Sequence, residues 1–531
     1  VNSGGHGAQA VRWWSDPRLW IAMALLSALP LLWPETPPLV DVPGHIAHYR
    51  VQLDLDSSPD LQRYWDFRWA LIGNLGVDLL VIPLAGLIGL EPAVKVIVIA
   101  IPPLTVLGIY WTAREIHGTA PPTALFAVPF AYAYPFTYGF LNFSLSMALS
   151  LLAFGLWLRL GRTGRTGLRV LLFVPLSCVL WLVHAFGWGV LGLLAWSAEV
   201  VRHRNSGCSW PESAAKAASA VVPLGPPLLL MIAWRSGAGG ETNGFLDPGS
   251  KLYAILATLR DRWQIWDVIG IVIALLLIWA AAFDRKLEFA RRLAIPAIIL
   301  LAVFVALPYK LMGSAYADLR LAPFIFIVAI AAIRFTPVAA DDARRRMAWL
   351  GLLFIIARLG GTTLSYAIAD REMRERLGAL DVIPRGAAVL SLTGEHCGTK
   401  WEIPRHAHVG SFVIIRRSGF SNDQWQTAGA QLLRSRHAAA GDFQADPSGT
   451  AFSKACQEQE WRQRGSGPAL LVRAAEDAIS EFPRDAFQFV WVVDAPDFPM
   501  TPRPGLRPIW RGRDSILYRV EPTAVKSSRP S

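Results

Sequence analysis

Leu75-Gly76-Val77-Asp78-Leu79-Leu80-Val81-Ile82-Pro83-Leu84-Ala85-Gly86-Leu87-Ile88-Gly89-Leu90 is the run on which the topology turns. It is apolar enough for a membrane, yet it holds an acid and a proline and is short of the roughly 20 residues a bilayer core asks for. Counted as a span, it reverses the side of every basic cluster after it. Counted as an interfacial or re-entrant helix, it leaves all of them on one side. Those clusters are Arg12 and Arg18; Arg159, Arg162, Arg165 and Arg169; Arg202, Arg204 and Lys216; Arg285, Lys286, Arg291 and Arg292; and Arg334 with Arg344 to Arg346. Cytoplasmic links carry excess lysine and arginine, so the second reading is adopted, with an inverted topology as its alternative. It makes 35–94 one large outer loop.

Working outward, apolar runs of spanning character fall at about 19–34, 95–113, 120–136, 140–160, 169–183, 184–201, 216–234, 264–283, 291–308, 320–335 and 347–366. The expectation is therefore a polytopic α-helical membrane protein of about 11 transmembrane helices. Several runs are short, so local thinning or broken helices are expected. The 531 residues are too many for one ordinary domain, 53% are hydrophobic, and 22 are tryptophan, which favours lipid–water interfaces. A net charge of +11 invites nucleic acid as a partner. The arginines lie in short clusters between apolar runs instead, so no nucleic acid is expected. The four cysteines form no CxxC or His/Cys cluster, which argues against zinc. Leu19 to Trp33 lacks a small-residue cleavage site and reads as a retained span.

The expected organisation is 1–18 as a cytoplasmic N-terminus, 19–368 as the transmembrane domain and 369–531 as a polar extracytoplasmic α/β domain. In the last, Ala387–Leu392, His408–Ile415, Phe487–Asp494 and Ser515–Val520 read as strands. Asp423–Arg436 and Ala469–Phe482 read as helices. Cys397 and Cys456 either pair in an oxidising compartment or stay as two buried thiols.

The richest chemistry follows the first span, in Val40-Asp41-Val42-Pro43-Gly44-His45-Ile46-Ala47-His48-Tyr49-Arg50. Pro37, Pro38 and Pro43 stiffen the backbone around Asp41. Asp41 either caps the helix that starts near Gly44 or serves as a general base or metal ligand. His45 and His48 follow at spacings that share a helix face with it, suited to acid–base work or to structural bonding. Arg50 binds a phosphate or snorkels. Elsewhere on the outer face, Tyr138 and Asn142 open the fourth span. His184 interrupts an apolar double span, where a polar group is costly. Lys310, Asp318 and Arg320 surround the start of the tenth span. Asp318 and Arg320 either pair with each other or leave the cations for an anionic ligand such as a lipid phosphate. Glu241, Asp247 and Lys251 are candidates for a mobile lid.

The order of these pieces resembles the GT-C class of integral-membrane glycosyltransferases, such as the protein mannosyltransferases and the aminoarabinose transferases. It is carried by the outer loop opening with Asp41 and by the interfacial helix ending Leu87-Ile88-Gly89-Leu90. It is carried too by the span ending Ala113-Arg114-Glu115-Ile116-His117-Gly118, by the short span closing on Tyr134-Pro135-Phe136 and by the return span opening Gly139-Phe140-Leu141-Asn142-Phe143. It covers about 19–200 in detail and the remainder in topology.

The resemblance implies transfer of a sugar from a polyprenyl-phosphate carrier to a glycan, lipid or protein acceptor at the outer face of a bacterial inner membrane. Asp41 matches the family's catalytic acid, with His45 beside it. Arg50, Tyr138, Asn142, His184, Lys310, Asp318 and Arg320 are then candidates for substrate binding. Many relatives place a second acid next to the first, where this chain has Val42, and another at the return span, where it has Tyr138 and Asn142. A divalent cation, Mg or Mn, held by Asp41 and His45, is left open. The competing classes are a transporter or flippase, which would favour inverted repeats and mid-membrane polar groups, and a non-catalytic assembly protein of envelope polysaccharide machinery.

Overall fold

The computed structural model describes residues 12–233, 242–311, 314–395, 400–426, 431–446, 448–452, 473–494 and 503–521. The deciding run forms the helix Gly76–Ile88, 13 residues long and too short to cross a bilayer. Gly89, at φ +85°, turns the chain straight into the next helix, Leu90–His117. Asp78 points inward, where His48 meets it at 3.1 Å and the Asn142 amide donates to it at 3.1 Å. Leu79, Leu80, Ile82, Leu87 and Ile88 stay exposed on the other side. The acid that spoiled the run as a span is thus the group that fastens it to the bundle.

Five described helices are long and apolar enough to cross a membrane: Leu90–His117, Leu141–Arg162, Thr166–Val183, Gln264–Phe283 and Asp341–Val382. A sixth appears if Trp210–Ala220 and Val222–Ile232, bent by 48°, count as one. This is fewer than the eleven expected. The runs at 19–34, 291–308 and 320–335 form helices of 11, 16 and 15 residues, Pro17–Ser27, Arg291–Ala306 and Ala317–Ala331. The run at 120–136 is not an α-helix. With Pro121, Pro122 and Pro129 denying it backbone donors, it forms the 3-10 helix Pro122–Tyr132, buried at every residue.

At the C-terminal end lies a seven-stranded sheet in the order Leu506–Arg511, Ser515–Val520, Phe489–Val493, Ala388–Glu395, Thr450–Phe452, Arg473–Ala474, with Phe420–Ser421 also paired to Ala388–Glu395. The strand Ala388–Glu395 runs parallel to its three partners, with Val389 opposite Phe489. The hairpin at the edge is antiparallel. Val389, Leu390, Trp491 and Leu517 are fully buried in it.

The strand expected at His408–Ile415 is instead the helix Ser411–Arg417. Phe412 to Ile415 are all buried, and a short continuous apolar run does not separate strand from helix. The helix expected over Asp423–Arg436 is irregular at Asp423–Gln426 and a strand at Leu433–Ser435, with 427–430 outside the described residues. The expected helix Ala469–Phe482 is seen as Ala475–Glu481. Cys397, Cys456 and Glu241 lie outside the described residues.

The outer loop and the C-terminal region pack as one. Trp65–Phe67 pairs antiparallel with Leu433–Ser435. The helix Val42–Asp54 lies against Ser411–Arg417. Tyr64 donates to the Gly386 carbonyl at 2.9 Å, and Arg416 bridges Glu35 and Glu91 at 2.6 and 2.7 Å.

Candidate active site

Asp41 occupies the N-cap position of the helix Val42–Asp54, but its side chain caps nothing. Its amide donates to the Tyr138 carbonyl at 2.9 Å. Gly139, at φ +103°, passes so close that a Cβ there would sit 2.8 Å from the Asp41 nitrogen and 3.0 Å from its Cβ. Glycine is required by both the angle and the space. The carboxylate is buried, 8% exposed, and free to act on what lies in front of it.

What lies there comes from the C-terminal region. His408 Nε2 is 3.7 Å from Asp41 Oδ1, and its Nδ1 is 2.8 Å from Asp423 Oδ1. Asp423 is fixed in turn by the amide and hydroxyl of Ser411. Gln424 donates to the Gly44 carbonyl at 3.2 Å, and Trp425 packs with tilted planes against His408 and His45, 4.7 and 5.2 Å between ring centres, while a Cβ on Gly44 would reach it at 2.6 Å. Burial pushes the Asp41 carboxyl up to about 7, with His408 and Arg320 pulling the other way. Burial would push the His408 imidazole down. Asp423, with Asp446 and Asp41, outweighs it and holds the ring protonated up to about 10.

Arg320 lays its guanidinium 4.1 Å above the Phe140 ring, and its Nε is buried without a hydrogen-bond partner. Asp41 is the leading charge acting on it. The mutual pair of Asp318 and Arg320 does not form, because Asp318 is taken by Lys251 at 2.7 Å. Next to Asp41 opens a cavity of roughly 630 Å³. Leu39 and Pro43 on either side of Asp41 line it, while Asp41 itself does not. Tyr134, Tyr138, Tyr253, Tyr309 and Tyr316 form one wall, with Arg260, Arg262 and Arg405 among its charged groups. Arg405 also donates to the Pro38 carbonyl at 2.7 Å and pairs with Asp261, tying the C-terminal region to the prolines before Asp41.

The other residues singled out from sequence scatter. His45 stacks on Tyr49 and lies tilted against Trp425, and burial pushes it down to about 4, so it is a neutral ring. His48 and Asn142 hold Asp78. Arg50 pairs with Asp54 at 2.5 Å. Tyr138 joins the tyrosine wall, 5.5 Å from Tyr316 between ring centres. His184 accepts the Phe186 amide and starts the helix Ala185–Asn205. The Lys310 backbone bridges to Asn243.

His408, Asp423 and Asp446 are not marked by the sequence, because Arg405-His406-Ala407-His408 and Asn422-Asp423-Gln424-Trp425 are polar runs within a region that is polar throughout. Their donor atoms lie within 4.8 Å of one another. One imidazole and two carboxylates suit a divalent cation such as Mn or Zn better than Mg, which prefers oxygen alone. Asp41 and His45 are not part of that group.

No protein-family model matches the chain, and no curated protein matches it. Among solved structures it is similar to ArnT from Cupriavidus metallidurans bound to undecaprenyl phosphate. The identity is 12% and the TM-score 0.45, over 94% of this chain and 97% of that one.

Proposed function

We propose that the protein transfers a sugar from a polyprenyl-phosphate carrier to an acceptor at the membrane face where Asp41 lies. The observation that supports this most is a buried carboxylate raised to about 7, with the His408 imidazole 3.7 Å away and the Arg320 charge acting on it, next to a tyrosine-lined cavity that Leu39 and Pro43 on either side of it line. A base works best when its pKa lies near the working pH. Asp41 takes the proton from the acceptor hydroxyl or amine as that atom attacks the anomeric carbon from the face opposite the phosphate. The bond from sugar to phosphate oxygen breaks, and the electrons stay on the departing lipid phosphate. Arg320 neutralises this charge, which is largest in the transition state, so its effect falls on the rate. The tyrosine rings offer flat apolar faces and hydroxyls to a sugar. His408 keeps positive charge on the far side of Asp41 and holds its carboxylate in place. A divalent cation would be held by His408, Asp423 and Asp446 and would supply the positive charge that the protonated imidazole otherwise provides there.

Radiolabelled sugar transfer from a polyprenyl-phosphate donor, in vesicles holding purified protein, tests the reading. Asp41→Asn should cut turnover by about 10²–10⁴-fold, the range of general-base catalysis, with the folded protein recovered in normal yield. Undiminished transfer in that variant removes Asp41 from the mechanism. Absence of transfer in the wild type across donors, with solute or lipid movement instead, replaces the enzyme by a transporter.

A further inference from the structure

At the other end of the helix bundle, four guanidinium groups meet two carboxylates, and a fifth, Arg292, lies within reach of their charges. The helix Leu141–Arg162 begins beside Asp41 and ends at Arg162, about 30 Å away at 1.5 Å per residue. There Glu115 receives Arg162 at 2.8 Å and Arg159 at 3.9 Å. Glu199 receives Arg169 at 2.7 Å on one oxygen, which also takes the Trp157 indole, and Arg202 at 2.5 Å on the other. Both acids are buried, and their oxygens are already used.

Arg292 is the cation left over. It is half-buried at the start of the helix Arg291–Ala306, which packs against Ala185–Asn205. Its Nε is buried with no hydrogen-bond partner, and no described carboxylate pairs with it. The charges acting on it are Glu199, Arg202 and Arg162, two of them repulsive. It also lies at the positive end of its helix dipole, in a first turn without an acid. The bias of cytoplasmic links toward arginine accounts for the number of these residues. It does not account for Arg169, whose side chain is 6% exposed, or for the half-buried Arg292, since a topology-setting arginine is cheapest pointing into water; Arg159, Arg162 and Arg202 keep 55%, 57% and 41% of their side chains exposed around them.

We propose that Arg292, with Arg162 and Arg202, forms a binding site for a phosphate anion at the end of the bundle opposite Asp41. A phosphate satisfies forked guanidinium donors and offsets the surplus charge. Basic clefts between membrane helices take lipid head groups in this manner. The phosphate comes either from a phospholipid of the surrounding leaflet or from solution. This site is independent of the sugar-transfer reading, because none of its residues belongs to the Asp41 site.

The test is native mass spectrometry of the purified full chain in neutral detergent, titrated with phosphatidylglycerol or with diacylglycerol of the same acyl chains, which has no phosphate. The wild type should retain phosphatidylglycerol at least tenfold better. Arg292→Gln should lose most of that preference, and Arg292→Lys should keep part of it. Where Arg292→Gln fails to fold, Arg162→Gln carries the same expectation. Millimolar inorganic phosphate that displaces the lipid and raises the melting temperature by itself identifies a free anion as the occupant; phosphate that does neither leaves the lipid head group. Equal retention of the two lipids with no effect of inorganic phosphate, or glutamine variants that bind as the wild type does, overturns the site.

Discussion

Asp41 and His408 govern each other, and pH exposes the coupling. In the proposed mechanism Asp41 acts in its ionised form, so transfer should rise with pH through about 7, to which burial pushes the Asp41 carboxyl. His408→Gln removes an opposite charge at 3.7 Å. The rising limb of the pH–rate profile should then move up by about one pH unit or more. A variant whose limb stays in place would show that His408 does not act on Asp41. Stability follows the other partner. The folded His408 holds its proton up to about 10, above its ordinary 6.5, so its stabilising effect is complete below 6.5 and is lost as pH rises toward 10. The melting temperature should fall across that window in the wild type and be flatter in His408→Gln. Gly139→Ala, which forces a side chain onto a φ of +103° against Asp41, should cost about 1–3 kcal/mol and most of the activity. Both readouts can be taken on one detergent preparation.

The constrained loop that carries Asp41 was legible in the sequence from the prolines beside it. His408 was not, because nothing local to it points to a carboxylate so distant in the chain. His45 and His48 had the right spacing to Asp41 but found nearer partners in Trp425 and Asp78. Spacing along a helix states which groups share a face, not which of them a neighbouring element will claim.

Among the elements, Gly76–Ile88 shows how a single acid decides the role of an apolar helix. Asp78→Ala should leave the His48 ring and the Asn142 amide without their buried acceptor, at about 1–3 kcal/mol for each. Thermal unfolding in detergent measures it, and a change within 0.5 kcal/mol would mean that Asp78 does not anchor this helix. Helices with plain spans, such as Leu141–Arg162 and Gln264–Phe283, could be read directly from hydropathy. The shorter ones could not. Hydropathy counts apolar residues and is blind to whether lipid or other helices surround them, and Pro122–Tyr132 and Ala317–Ala331 owe their apolar character to burial inside the protein. The helix Ser411–Arg417 failed for a related reason. A run buried on all sides has no period to read.

For the whole molecule, the division into an outer loop and a C-terminal domain is one of sequence more than of structure. The strand pair Trp65–Phe67 with Leu433–Ser435, the bridge from Arg416 to Glu35 and Glu91, and the contact of Trp425 with Gly44 make them a single unit around Asp41. Hydrogen exchange should therefore show 60–70 and 431–436 opening with one common free energy. Separate protection would divide the unit. The sequence showed that a polar α/β region follows the last span. It carried no sign that this region lies against the loop, since such pairing has no local signature.

The bond from Arg405 to the Pro38 carbonyl joins residues 367 positions apart. On a ribosome adding about 5–20 residues per second, roughly 20–70 s pass between the emergence of the first and the second. Throughout that interval the nascent polypeptide already displays its acid but lacks the histidine and tryptophan that frame it. The surroundings of Asp41 are thus completed only at the end of synthesis, and a chain truncated before residue 408 lacks both rings that pack around it.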